Sequence, residues 1–271
     1  MGNILTQSQI RFYRENGYCV VEGIFDKGVL DKARRIWAPT ARDRVFSELA
    51  EDSRLLDAIS QLIGEDIVLQ HSNLNVKPPQ VGSVVDWHQE FAYYPHSNTD
   101  LVAALIYLDD ATRENACLRV AAGSHRNGLL SHERDGCFGG RISSLENVGV
   151  DESTVVDCEG RAGTVVFLHP LVVHSSEKNL SDLYRRVFIP AYRAERGWRV
   201  ATAHRRGRVQ LALRDPGGAR DQPRRRRSGV VRRSRPLPSP RTAAHPVTSE
   251  RNHRAARHGL GRSPHRLPGP R

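Results

Sequence analysis

The sequence predicts a mainly β fold, an antiparallel sandwich or jelly roll with flanking helices. Short runs rich in Val, Ile and Tyr recur between Gly, Pro, Asn and Asp: DIVLQHSNLNVK, LVAALIYL, CLRVA, STVVDC, GTVVFLH and RRVFIPAYR. Helical periodicity is confined to the first 63 residues. With no helices between the strands, a parallel sheet with crossover helices is excluded.

The elements follow in order. Thr6 and Gln9 have capping-box spacing ahead of Ile10, Phe12 and Tyr13, which predicts a helix over 7–16 that stops at Gly17. A short strand follows from Tyr18 to Glu22. Two further amphipathic patterns predict helices over about 27–37 and 53–63, the second closed by Gly64. Beyond Gly64 the pattern is β, and no internal repeat is present.

Composition divides the chain of 271 residues in two. The formal charge of +11 suggests a polyanion binder, but residues 201–271 hold 19 Arg and three acids while residues 1–200 carry a net −5. All 17 aromatic residues lie at or before Trp198, so the remainder lacks the apolar groups needed to offset chain entropy. These observations predict one folded domain over 1–198 and a disordered Arg/Pro-rich tail over 199–271. Three readings of that tail compete: a nucleic-acid-binding arm, which lacks stacking aromatics; a solvated extension; and the product of a shifted reading frame in GC-rich codons, which the composition favours. No apolar run is long enough to span a bilayer. Cys19, Cys117, Cys137 and Cys158 have no paired spacing, which predicts reduced thiols in a cytoplasmic protein.

The stretch Trp87-His88-Gln89-Glu90-Phe91 carries the strongest chemical signal. In a strand, His88 and Glu90 share a face, although an isolated pair of this kind is ordinarily just solvated. His174, at the end of the apolar run LVVH, supplies a third candidate ligand. Two histidines and a carboxylate leave three positions open on an octahedral ion, the arrangement of non-haem Fe(II) oxygenases. Ser176 lies two residues after His174, and Arg185 can hold a carboxylate through two parallel hydrogen bonds. Asn75 and Lys77 share a strand face and add polar candidates. Tyr93, Tyr94, His96 and His71 are candidates to line a pocket, and His169 is an alternative third ligand.

Taken together, LTQSQIRFYRENGYCVVEGIF, NVKPP, WHQEFAYYPHSNTDLVAALIYLDDATRENACLRVAAGSH, GTVVFLHPLVVHSS and KNLSDLYRR resemble the phytanoyl-CoA dioxygenase family of Fe(II)- and 2-oxoglutarate-dependent oxygenases, over about residues 5–194. The resemblance implies a double-stranded β-helix (jelly roll, cupin-like). It implies iron ligands at His88, Glu90 and His174. It also implies that Arg185, Ser176, Lys77 and Asn75 bind 2-oxoglutarate. The implied reaction couples decarboxylation of 2-oxoglutarate by O2 to hydroxylation of an unactivated C–H bond in a small metabolite or natural-product intermediate.

Three departures from the family pattern stand out. Glu90 replaces the usual Asp, and its carboxylate argues against an iron halogenase, which needs that ligand place for halide. Ala116 and Ala122 replace a Gly and a Pro in the turn before Gly123-Ser124-His125, which makes that turn's geometry a point to examine. The resemblance also stops near Ala194. A competing class is therefore an impaired relative that only binds, through the remnant pocket or through the basic tail on polyanions.

Overall fold

The computed structural model describes residues 4–34 and 44–197, together with the backbone of 202–205 and 208–211. Helix α1 (Gln7–Asn16) opens on the capping box, Thr6 accepting from the Gln9 N–H and the Gln9 carboxamide from the Thr6 N–H. It ends at Gly17 in the left-handed region. Strand β1 (Tyr18–Val21) leads to α2 (Lys27–Arg34), α3 (Arg44–Ala50) and α4 (Ser53–Ile63), the last capped by the Asp52 carboxylate. Then come β2 (Ile67–Lys77), β3 (Val85–His88), β4 (Leu101–Tyr107), β5 (Leu118–Ala121), β6 (Glu133–Arg134), β7 (Cys137–Phe138) and β8 (Val155–Cys158). Strands β9 (Val165–Leu168), β10 (His174–Ser176), β11 (Arg185–Ala194), β12 (Thr202–Arg205) and β13 (Arg208–Leu211) complete the order.

All named strand pairs are antiparallel. A major sheet in the order β1-β9-β4-β11-β2 faces a minor sheet in the order β3-β10-β5-β8. This is the predicted jelly-roll sandwich. On β4, Val102, Ala104 and Ile106 join the cluster that contains Leu30, Leu49, Leu55 and Ile59 of the helices. Leu105 and Tyr107 point to the opposite face, where they pack with Leu118, Val120 and Cys158 of the minor sheet. Burial on both faces explains why LVAALIY reads as a continuous apolar run rather than an alternating one.

The structure modifies several expectations. Helix α3 was not evident in the sequence, because seven residues are too few to show a period. Phe46, Leu49 and Ala50 nevertheless form its buried face at i, i+3 and i+4. The predicted extension of α2 over 35–37 lies outside the described residues. The run LVVH is not a strand ending at His174: residues 170–172 turn, with the Val172 N–H donating to the His169 carbonyl, and β10 begins at His174. Within the predicted disordered tail, β12 and β13 pair in register, a hairpin that needs only local contacts. The other tail residues, and the readings attached to them, lie outside the described residues. Among the described residues, no helix is long and apolar enough to cross a membrane.

The turn that departs from the family pattern keeps a left-handed residue at the place of the lost glycine. Ala116 has φ 69° and is buried, and Gly123, at φ 80°, donates its N–H to the Asn16 carbonyl at 2.8 Å. A Cβ in this region costs about 1–2 kcal/mol, partly offset by the lower chain entropy of alanine in the unfolded state. Ala116→Gly is therefore expected to stabilise the fold by about 0.5–1 kcal/mol, read as a raised midpoint in urea unfolding. An unchanged or lowered midpoint would contradict the strain.

Candidate metal centre

Strand β10 lies between β3 and β5, and the β10–β3 register sets His174 opposite His88. The two imidazole rings are 4.1 Å apart between centroids. Each Nδ1 sits against a backbone carbonyl two residues back, His88 on Asp86 at 2.8 Å and His174 on Val172 at 3.0 Å. A carbonyl can only accept, so each Nδ1 carries the proton and each Nε2 presents a lone pair. Glu90 Oε2 lies 3.9 Å from His88 Nε2, and one donor atom from each of His88, Glu90 and His174 falls within 4.8 Å of the others. This donor set, two imidazoles and a carboxylate on one side, fits an octahedral first-row ion such as Fe(II). Burial holds both imidazoles below their ordinary range and so in the neutral, ligating form, while it pushes the Glu90 carboxyl up.

Glu90 does not share a strand with His88. Strand β3 ends at His88, and Glu90 opens a 3-10 turn over Glu90–Ala92. The cause is Gln89, which is fully buried. Its Nε2 donates to the carbonyls of Gly128 and Leu171, its Oε1 accepts from the Leu130 N–H, and its backbone N–H donates to His132 Nε2 at 2.9 Å. Gln89 and His132 had escaped the sequence reading. The only hint was an amide side chain lodged between two ligands.

A cavity of about 430 Å³ opens beside the three ligands. Arg185 lines it, 5% exposed, and its Nη2 donates to Ser176 Oγ at 2.9 Å while its buried Nε has no hydrogen-bond partner. A desolvated guanidinium with an unmade bond and no carboxylate partner among the described residues fits an anionic ligand. Asn75 also lines this cavity, as does Tyr107, whose hydroxyl is already donated to the Cys158 carbonyl at 2.7 Å.

Lys77 is the exception among the sequence-predicted groups. Its ammonium does not line the cavity but donates to the carbonyls of Ser83 at 2.8 Å, Ser176 at 3.2 Å and Glu177. With its donors used in this way it fastens the end of β10. Burial, then the nearby Arg185 charge, pull its pKa down to about 8. Asn179 works alongside it, donating to the carbonyls of Lys77, Pro78 and Leu183.

The remaining candidates separate clearly. His71 lines the cavity, stacks on Tyr94 at 4.6 Å and lies 4.0 Å from Glu90. Tyr93 meets the edge of His88 at 5.7 Å and donates its hydroxyl to the Gly140 carbonyl. His96 is buried with Nδ1 against the Tyr94 carbonyl. His169 is not a ligand: it packs with Tyr13 and His125, and its Nδ1 accepts the Leu171 N–H.

Residues 31–187 match the family profile described as phytanoyl-CoA dioxygenase. The chain belongs to the phytanoyl-CoA dioxygenase family. A probable alpha-ketoglutarate-dependent hypophosphite dioxygenase of Stutzerimonas stutzeri is 32% identical over 168 residues, covering 61% of this chain and 58% of that protein. L-proline trans-4-hydroxylase of Streptomyces griseoviridis is 32% identical over 169 residues, covering 55% of this chain and 63% of that one. The chain thus spans about three-fifths of the length of these two relatives. Among solved structures, EctD of S. alaskensis with 2-oxoglutarate and 5-hydroxyectoine superposes with a TM-score of 0.59 at 23% identity, over 70% of this chain and 77% of that one. That likeness shows a shared fold.

Two outcomes are expected. Lys77→Met keeps the apolar stem but strands three carbonyls, and should cost about 2–3 kcal/mol in urea unfolding; a neutral result would show the clamp to be idle. Burial also keeps His88, His125, His132, His169 and His174 below the ordinary imidazole range, His169 at about 4. The unfolded chain takes up these protons near pH 6.5 and the folded chain does not, so stability is complete above about 6.5 and falls as pH drops towards 4, with about 3 kcal/mol from His169. Melting of the metal-free protein between about pH 7 and pH 4.5 checks this, and His169→Phe should flatten the curve.

Proposed function

We propose that this protein is a non-haem Fe(II)- and 2-oxoglutarate-dependent dioxygenase that hydroxylates an unactivated C–H bond of a small molecule. The observation that carries the reading is the pairing of two features in one cavity: the His88, Glu90, His174 donor set and the partnerless Nε of buried Arg185. Family relatives named as dioxygenases and hydroxylases support it.

Iron and 2-oxoglutarate, bound here, supply the oxidising chemistry: O2 is consumed, 2-oxoglutarate becomes succinate and CO2, and a C–H bond becomes C–OH. The chain's own residues do the rest. His88 and His174 present Nε2 to the metal because their Nδ1 protons are engaged by carbonyls. Arg185, oriented by Ser176, takes the distal carboxylate of 2-oxoglutarate, with Asn75 beside it. Leu105, Leu118 and Val187 line the same space with hydrocarbon and keep water from the reacting bond. The cavity volume lies within the range of small-molecule sites, which supports a small substrate. Four free thiols support a cytoplasmic setting.

The anaerobic protein with Fe(II) and 2-oxoglutarate should show a weak visible charge-transfer band. His174→Ala should abolish it, and Arg185→Gln should raise the 2-oxoglutarate concentration needed by about 100-fold while leaving metal uptake intact. Absence of the band together with absence of succinate release would end this reading.

A further inference from the structure

The register across β11 and β2 orders the cavity floor. Arg185 pairs with Lys77, Val187 with Asn75, Ile189 with Asn73 and Ala191 with His71. The Arg185 end is taken by the cosubstrate. The rows beyond it, towards Glu90, present Asn73, His71, Ile189, Ala191 and Leu168 to the cavity. Asn73 is exposed on the edge strand of the major sheet, and among the described residues its carboxamide has no hydrogen-bond partner. Among the described lining residues, the carboxylate is Glu90 and the guanidinium is Arg185, each already assigned to metal or cosubstrate. An ionised group bound in these outer rows would give up water without gaining a carboxylate or guanidinium partner of its own among the described lining residues. A carboxamide, by contrast, offers two donors and an acceptor to a neutral polar group. The neighbouring Leu168 and Ile189 offer only hydrocarbon.

We propose that the substrate is an uncharged small molecule bearing an amide or hydroxyl group, held by that group on Asn73 with its hydrocarbon part against Leu168 and Ile189. The proposal rests on the dioxygenase reading. The outer rows then act as a charge filter: the reacting hydrocarbon is placed beside the metal ligands, and ionised molecules of the same size are turned away by desolvation.

Three probes of equal length and different charge test it: hexanamide, hexanoate and hexylammonium. The full chain is loaded with Mn(II) and 2-oxoglutarate. Loss of the free-ion resonance signal reports metal uptake, and broadening of each probe's proton lines reports binding near the metal. Hexanamide should bind at least about tenfold more tightly than either ion, the worth of one well-made hydrogen bond. Asn73→Leu should remove that preference with Mn(II) uptake unchanged, and Asn73→Asp should turn it towards hexylammonium. The proposal is overturned by hexanoate or hexylammonium binding as tightly as hexanamide, by no broadening of hexanamide, or by an unaltered preference in both variants. Failure of the unsubstituted chain to take up Mn(II) overturns the metal reading instead, and this one with it.

Discussion

The antiparallel register that sets His174 opposite His88 is the constraint on which the site depends. Two ligands far apart in sequence become neighbours only because β10 is held on both sides, by β3 and by β5. A strand of three residues cannot secure its own register with so few ladder bonds. Its position is secured from outside, by Lys77 on the carbonyls of Ser176 and Glu177 and by the Ser124 hydroxyl on the Val173 N–H. A slip of one residue would carry His174 to the opposite face and replace it with a serine or a valine.

Burying this much polar chemistry is costly unless nearly every group is satisfied, and the structure meets that demand with a few multiply bonded side chains. Gln89 ties three segments together around the metal ligands. Asn179 and Lys77 do the same at the far end of the cavity, bonding the loop after β2 to the loop after β10. Against this background Arg185 stands out: it is buried beside the cavity, its Nε has no hydrogen-bond partner, and no carboxylate among the described residues neutralises it.

The parts legible in the sequence were those decided by local chemistry. Helix α1 announced itself by a cap, a period and a glycine, and α4 by a period and a closing glycine, so their bounds match the structure. The candidate ligands His88, Glu90 and His174 and the candidate anion partner Arg185 could be singled out from residue type and from the family resemblance, and the structure brings these four to one cavity. Illegible were the features decided by partners distant in the chain. The carbonyls that engage Lys77 include two that lie 99 and 100 residues later, and no local pattern reveals them. The same holds for the end of β3, since alternation alone continues the strand through Glu90, and only the contacts of Gln89 turn it. Asn73 went unnoticed for a related reason: its importance follows from the β11 register and from the charges its neighbours lack.

At the candidate ligand position Glu90 works from this turn and not from the strand. Were residue 90 to continue the strand, its Cα would stand about 6.8 Å beyond that of His88, along the sheet. Because Gln89 is drawn inward and Glu90 begins a 3-10 turn anchored by the Phe91 N–H on the Pro170 carbonyl at 2.9 Å, the backbone leaves the strand direction before the ligand is reached. From there one Glu90 oxygen lies 3.9 Å from His88 Nε2 and the other 4.0 Å from His71 Nε2. The buried glutamine and the carboxylate after it thus act together: the contacts of Gln89 draw the backbone out of the strand, and Glu90 presents its two oxygens to the two imidazoles from the turn that follows.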